Sequence, residues 1–372
     1  MLKIGITGQA GFVGTHLYNT LGLHPGEFER VPFNRDFFSN QQLLEQFVLQ
    51  CDVIVHLAAM NRHNDPQVIF DTNIELAQKL VDALESTKSR AHVIFSSSTQ
   101  EERDNEYGKS KKMGRELLYN WSIKSGGKFT GLIIPNVFGP FGHPNYNSVI
   151  TTFCHQLTHN ETPTIVVDGE LKLIYVGELV EVLVSEIRNE NSKAEIIVPY
   201  TSKAKVSEIL QVLEKYKSEY QEKGIIPSID TTFELNLFNT FRCYMDLKKN
   251  FPVSLVEHTD ERGSFVEIIR LGVGGQVSFS TTVPRITRGN HYHTRKIERF
   301  AVIKGKALIQ LRRIGTDEVL DFYLDGKNPS YVDMPIWYTH NIKNIGDEVL
   351  YTNFWINEFY DPHDPDTYFE NV

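Results

Sequence analysis

Residues 2–14 read LKIGITGQAGFVG: an apolar run that meets three glycines, Gly8, Gly11 and Gly14, and passes directly into THLYNTL, which has helical character. In that order, glycines let the backbone approach a pyrophosphate, and the helix N-terminus offers N–H donors and a positive dipole end. A ligand-free strand-to-helix turn would also use glycines, but the order strand, triad, helix favours a dinucleotide site that includes Phe12 and Val13. The next strand-like run, ERVPF, leads to Asn34 and Arg35 rather than to an immediate carboxylate, with Asp36 adjacent. A guanidinium at that place suits a 2′-phosphate, so the expected cofactor is NADPH rather than NADH.

Outward from this stretch, DVIVHLAA, HVIFSSS, FTGLIIPNVFG and EIIVP read as further buried strands separated by helical segments, up to about Pro199. Such alternation predicts an α/β fold with a doubly wound, Rossmann-like parallel sheet. Val206, Ile209, Leu210, Leu213, Tyr216 and Tyr220 share one helix face, with Gly224 as a stop, and this helix is expected to pack on the N-terminal domain. After LKKNFPVSL the texture changes to alternating strands with turn signals such as DERG, GVGG, IGTDE and NIGDE. That pattern predicts an all-β sandwich or barrel, so the expected domains are residues 1–248 and 249–372.

The bulk properties narrow the partners. A net charge of −9 argues against a nucleic-acid footprint, which needs clustered Lys and Arg. No apolar run approaches the roughly 20 residues of a membrane helix. Cys51, Cys154 and Cys243 are widely spaced and lack a C-x-x-C pair, and the first residues carry no charged-then-apolar leader. Reduced thiols in a cytoplasmic protein are therefore expected.

Tyr107 and Lys111 stand in Y-x-x-x-K spacing within YGKSKKMGREL, which places both on one helix face. There the ammonium is expected to lower the phenol pKa and bind the cofactor ribose, while the phenol exchanges a proton with a carbonyl or alcohol. FSSSTQ, before it, offers Ser98 as a hydroxyl partner. This region resembles the extended short-chain dehydrogenases/reductases of the nucleotide-sugar type, whose order TGQAGFVG, HLAA, FSSS, YGKSK and PNVFGP it follows over roughly the first 245 residues. The resemblance implies Tyr107, Lys111 and Ser98 as catalytic residues. It adds Leu57, Ala58 and Ala59 to the cofactor site and Asn136 to the substrate site. Thr99 and Gln100 follow Ser98 where that family's dehydratases carry Asp-Glu, which argues against dehydration.

In the C-terminal half, GNHYHTRKIERFAVIKG at 289–305 sets His291, His293 and Glu298 in H-x-H-x-x-x-x-E spacing, and PIWYTHNIKN adds His340. Residues two apart on a strand share a face, and three imidazoles with one carboxylate suit a divalent transition metal, with Zn, Ni, Fe and Mn all chemically possible. Both motifs resemble those of the cupin barrels, with Trp337 in place of a usual glycine, a change that would narrow the pocket. HTDERGSFVE at 258–267 is similar to a segment of the deoxysugar 3,5-epimerases, which implies a substrate role for Arg262. Tyr338 shares the His340 strand face and is a candidate proton donor, and Lys296 could hold an anionic oxygen.

A sugar-nucleotide reductase joined to an epimerase-like cupin resembles, over the whole chain, the bifunctional CapF-type enzymes of capsule and O-antigen synthesis. The resemblance implies a UDP-linked 4-keto-6-deoxy amino sugar as substrate, epimerised at carbon 3 and reduced at carbon 4 with NADPH to UDP-2-acetamido-2,6-dideoxy-L-talose. It also implies a homodimer, and among the possible divalent metals zinc is the one expected. The alternative is a reductase or 4-epimerase acting alone, its metal-binding cupin serving only dimerisation or ligand binding.

Overall fold

The computed structural model describes residues 1–189 and 191–372, which form two compact units. The first comprises Met1–Thr152 and Val167–Val206; the second comprises Phe153–Val166 and Ser207–Val372.

The first unit is built on a six-stranded, wholly parallel sheet. Its order is Phe28–Val31, Leu2–Thr7, Val53–His56, His92–Ser98, Lys128–Ile134, Lys193–Ile197. Alternate residues of these strands feed opposite layers, as a side-chain period of two requires. Ile4, Ile6, Val55 and Ile94 pack with Leu17 and Leu21 of the first helix and with Leu179 and Leu183 of Val176–Arg188. Ile54, Val93 and Phe95 pack instead against Leu44 and Phe47, Leu80 and Leu84, and Leu118 and Trp121, from three further helices. Both faces are thus covered, as the near-continuous apolar strands demanded. The chain reverses its direction of travel across the sheet between Leu2–Thr7 and Val53–His56, so a crevice opens beyond their C-terminal ends.

The second unit holds two five-stranded antiparallel sheets. One contains Glu298–Lys304, Leu350–Ile356 and Gln276–Thr282; the other contains Lys306–Arg313, Tyr338–Asn344 and Thr287–Tyr292. Ala301, Val302, Ala307, Ile309, Leu311 and Val332 are fully buried in its core. A separate two-stranded hairpin, Glu257–Asp260 with Gly263–Val266, is exposed along nearly its whole length.

The helical residues 207–250 belong to this unit, so the boundary expected at 248/249 falls inside it and the helix expected to serve the N-terminal domain packs elsewhere. The reason is a buried polar network. Arg299 makes bonds of 2.7 and 2.9 Å to both carboxylate oxygens of Asp333, and Tyr220 donates to the same carboxylate at 2.8 Å. Arg242 donates to the Met334 carbonyl at 2.7 Å, and Arg299 to that of Gly224 at 2.9 Å. Apolar periodicity reveals a helix face but not which polar groups wait opposite it. Asp333→Ala would strand the Arg299 guanidinium, which is 2% exposed, without its counter-charge. Chemical denaturation is expected to show a loss of about 3–5 kcal/mol; a loss under 1 kcal/mol would mean the network is not what fastens these helices.

Candidate functional site

The glycine turn is built as its sequence requires. Gly8 adopts φ +76°, and a Cβ on Gly14 would come within 2.2 Å of the Gly8 carbonyl oxygen, so neither place accepts a side chain. Gly11 donates to the Gly8 carbonyl at 2.9 Å and caps the helix Phe12–Leu21. Thr7 ties this turn to the neighbouring strand end: its hydroxyl lies 2.8 Å from His56 Nδ1 and accepts from Ala58 N at 3.4 Å. The outcome is a cavity of about 830 Å³ in the crevice at the strand ends.

Gly8, Gly11, Phe12, Val13, Gly14, Arg35, Leu57, Ala58 and Ala59 all line that cavity, as do Ser98, Tyr107, Lys111 and Asn136. Asn34 is not among its lining; its side chain accepts from Asp36 N at 3.0 Å and caps the short helix that carries Arg35. Arg35 itself is exposed and bordering the cavity, free to meet an anionic group.

Asn105 starts the helix that presents Tyr107 and Lys111 by accepting from Gly108 N at 2.8 Å. Lys111 is buried; its ammonium sits 4.9 Å from the Phe95 ring centroid and 5.9 Å from that of Tyr107. Burial lowers its pKa to about 8, with Glu101 working the other way. The Tyr107 phenol is pushed up, by burial and then by the Tyr146 phenol, whereas the motif alone implied a lowered value. Desolvation disfavours the phenolate, and a phenol that keeps its proton is the form needed to protonate a carbonyl being reduced. Ser98 Oγ accepts from Gln100 N at 3.2 Å at the end of its strand. Asn136 donates to the Lys172 carbonyl at 3.2 Å.

Sequence reasoning did not single out the opposite wall. Asn61 N donates to the Tyr146 hydroxyl at 3.3 Å, Arg62 donates to the Asn145 carbonyl at 2.6 Å, and all but Asn145 line the cavity. Residues so far apart carry no shared spacing, although the run MNRHND directly after HLAA was a place to look.

The second cluster lies in the all-β unit. One ligand atom each from His291, His293, Glu298 and His340 falls within 4.8 Å of all the others. Glu298 comes from one sheet, His291 and His340 from the other, and His293 follows the strand that ends at Tyr292. His293 Nε2 and His340 Nε2 are 3.1 and 3.2 Å from Glu298 Oε2. The opposite ring nitrogens, both Nδ1, face carbonyl oxygens of Asp366 at 2.5 Å and Tyr338 at 3.2 Å. A carbonyl only accepts, so each Nδ1 carries a hydrogen, and in the neutral ring it is Nε2 that offers its lone pair on the side of the carboxylate. The three inward atoms are buried without a hydrogen bond among them. Acceptors converging in this way are stable around a cation, so the donor set fits a divalent metal. The histidines also hold the Glu298 carboxyl below its usual range although burial opposes this, and burial lowers His291 to about 4. Burial opposes a charged His293, but the Glu298 carboxylate and the Asp366 carbonyl raise its pKa, so Glu298 and His291 rest in their metal-binding protonation states while His293 would release a proton on binding an ion.

Other sequence candidates lie around this cluster. Lys296 is buried, and its ammonium donates to the Pro365 carbonyl at 2.7 Å. Arg262 sits at the exposed hairpin turn and is bound to Asp260. Tyr338 pairs with Arg313 at the strand start, two residues before His340, and burial raises its pKa to about 12. Trp337 adopts φ +61°, the region a glycine would occupy without cost, and stacks on Tyr292 at 5.8 Å. Its ring thus packs on the residue between the two histidines of the first motif.

Comparison with known proteins follows this two-part geometry. The model described as "NAD dependent epimerase/dehydratase family" matches residues 4–198, and "Polysaccharide biosynthesis C-terminal domain" matches 258–368. Over 370 residues, 99% of this chain and 98% of the other, the chain is 32% identical to UDP-2-acetamido-2,6-beta-L-arabino-hexul-4-ose reductase of Pseudomonas aeruginosa. The crystal structure of the capsular polysaccharide assembling protein CapF from Staphylococcus aureus aligns over 100% of both chains, with 34% identity and a TM-score of 0.64. RMD from Pseudomonas aeruginosa, solved with NADPH, shares the fold alone: 19% identity, 59% of this chain and 83% of that one, TM-score 0.53. The chain belongs to the NAD dependent epimerase/dehydratase family and, over its whole length, to the family of the Pseudomonas aeruginosa reductase. The likeness to the CapF-type enzymes drawn from the motifs is borne out.

Proposed function

We propose that this chain is a bifunctional nucleotide-sugar enzyme of capsule or O-antigen synthesis. Its all-β unit, read as a cupin, inverts carbon 3 of a UDP-4-keto-6-deoxy-N-acetylhexosamine. Its first unit then reduces carbon 4 to give UDP-2-acetamido-2,6-dideoxy-L-talose. The observation that carries the reading is the meeting of Tyr107, Lys111 and Ser98 with the glycine turn in one cavity, in a chain related end to end to a protein named as a 4-keto-sugar reductase.

NADPH, when bound, supplies the hydride. Gly8, Gly11, Gly14 and the first turn of the following helix would receive its pyrophosphate, and Arg35 would meet its 2′-phosphate. Tyr107 gives its phenolic proton to the carbonyl oxygen as carbon 4 is reduced, and Lys111 orients the cofactor ribose and stabilises the phenolate left behind. In the second unit, the ketone acidifies the proton on carbon 3; its removal and return on the other face invert that carbon. His291, His293, Glu298 and His340 would hold a divalent ion, zinc being the one expected, and it would supply positive charge to stabilise the enolate. Inversion beside a ketone is reversible, and reduction traps its product. The protein works in the cytoplasm as a homodimer; among the described residues no helix is long and apolar enough to cross a membrane.

Incubation with UDP-2-acetamido-2,6-dideoxy-L-arabino-hex-4-ulose in D₂O tests the reading. Without NADPH, NMR should show deuterium entering carbon 3; with it, the talose product. Reduction without exchange would leave the second unit a metal-binding module with no chemistry of its own. Arg35→Ala should weaken NADPH far more than NADH, since only the former offers a dianion to that guanidinium. Equal losses in kcat/KM for both cofactors would sink the NADPH assignment.

A further inference from the structure

The histidine cluster is held from outside by residues near the end of the chain. Asp366 is 2% exposed and adopts φ +39°, a left-handed conformation that costs an aspartate strain. In that conformation its backbone and its side chain reach the same loop. The carbonyl accepts from His293 Nδ1 at 2.5 Å. One carboxylate oxygen accepts from Thr294 N at 3.0 Å and from the Thr294 hydroxyl at 2.7 Å, and the other from Arg295 N at 3.0 Å and Lys296 N at 3.1 Å. Three successive amides are thus gathered on one anion, a nest closed by an internal carboxylate. The loop so held, 294–297, is the link between His293 and Glu298. Two of its side chains are fastened to the same segment: Lys296 Nζ to the Pro365 carbonyl at 2.7 Å, and Arg295 to Asp364 at 2.8 Å.

We propose that Asp366 is the positioning residue of the metal site: its carbonyl fixes the His293 tautomer, and its carboxylate sets the loop that spaces His293 from Glu298. This rests on the metal reading of the cluster. Asp366 lies outside the ligand group and acts through His293 and the loop. Without it, His293 can rotate or carry its hydrogen on Nε2, and either change removes a ligand. Partners of this outer kind commonly govern metal affinity by about 10–100-fold.

The test is Zn²⁺ binding to the full chain, by competition with a chromophoric chelator, alongside the melting temperature with and without Zn²⁺. Wild type should bind one equivalent and gain thermal stability from it. Asp366→Ala should bind about 10–100-fold more weakly and lose most of that gain. Asp366→Asn, which keeps one acceptor oxygen, should fall between, and Thr294→Ala, which deletes only the hydroxyl bond, should weaken binding several-fold. A merely structural aspartate would lower the metal-free melting temperature and leave the affinity unchanged; that result overturns the proposal. If Asp366→Ala does not fold, unchanged affinity in both Asp366→Asn and Thr294→Ala overturns it equally. A wild-type chain that binds no Zn²⁺ would refute the metal reading itself and the proposal with it, a failure distinct from equal affinity in wild type and variant.

Discussion

Tyr107→Phe is expected to cut reduction of the 4-keto sugar by roughly 10²–10⁴-fold, the usual cost of a lost acid–base group, while deuterium exchange at carbon 3 continues. The substitution removes one oxygen from a half-buried ring on the helix Glu106–Ser125 and leaves the capping bond from Gly108 to Asn105 intact. Nothing of the all-β unit changes, because its histidines belong to a different fold. Measured in D₂O without NADPH, exchange at the wild-type rate with reduction nearly gone would separate the two chemistries. Loss of both in a folded variant would indicate one shared site and refute the division of labour proposed here.

His340→Ala should do the reverse. It removes one of the two rings beside the Glu298 carboxylate, which is 6% exposed. Metal content should drop below stoichiometric, and exchange at carbon 3 should fall at least about 10²-fold, as for loss of a group acting through charge stabilisation. The melting temperature should also fall, since a ligand present at about 1,000 times its Kd contributes roughly 4 kcal/mol, and here the ligand would bridge two sheets. Reduction of a ketone already inverted at carbon 3 should persist. Normal exchange in a variant shown to lack metal would place the epimerisation elsewhere.

Where the sequence spoke plainly, it did so through short spacings that chain geometry converts into proximity. Gly8, Gly11 and Gly14 lie within one turn, Tyr107 and Lys111 one helical turn apart, and His291 and His293 two residues apart, so local structure alone brings each set together. The six parallel strands were legible for a related reason: burial on both faces leaves runs such as VIVH and GLII almost without polar residues. These signals sufficed for the fold class, the glycine-turn cavity and the composition of the histidine cluster.

Tertiary structure decided what depends on partners far apart in the chain. Tyr220 and Arg242 commit their helices to the second unit only because Asp333 and the Met334 carbonyl lie buried across from them, a separation of about ninety residues or more. The Tyr107 phenol is raised rather than lowered because of burial, which no motif records. Asp366, in a polar run with no recognisable spacing, reaches His293 from 73 residues away. Spacing along a chain encodes contacts within a turn of helix or across one strand face. Desolvation and long-range hydrogen bonds are properties of the packed interior, and they come into being only when the elements close upon one another.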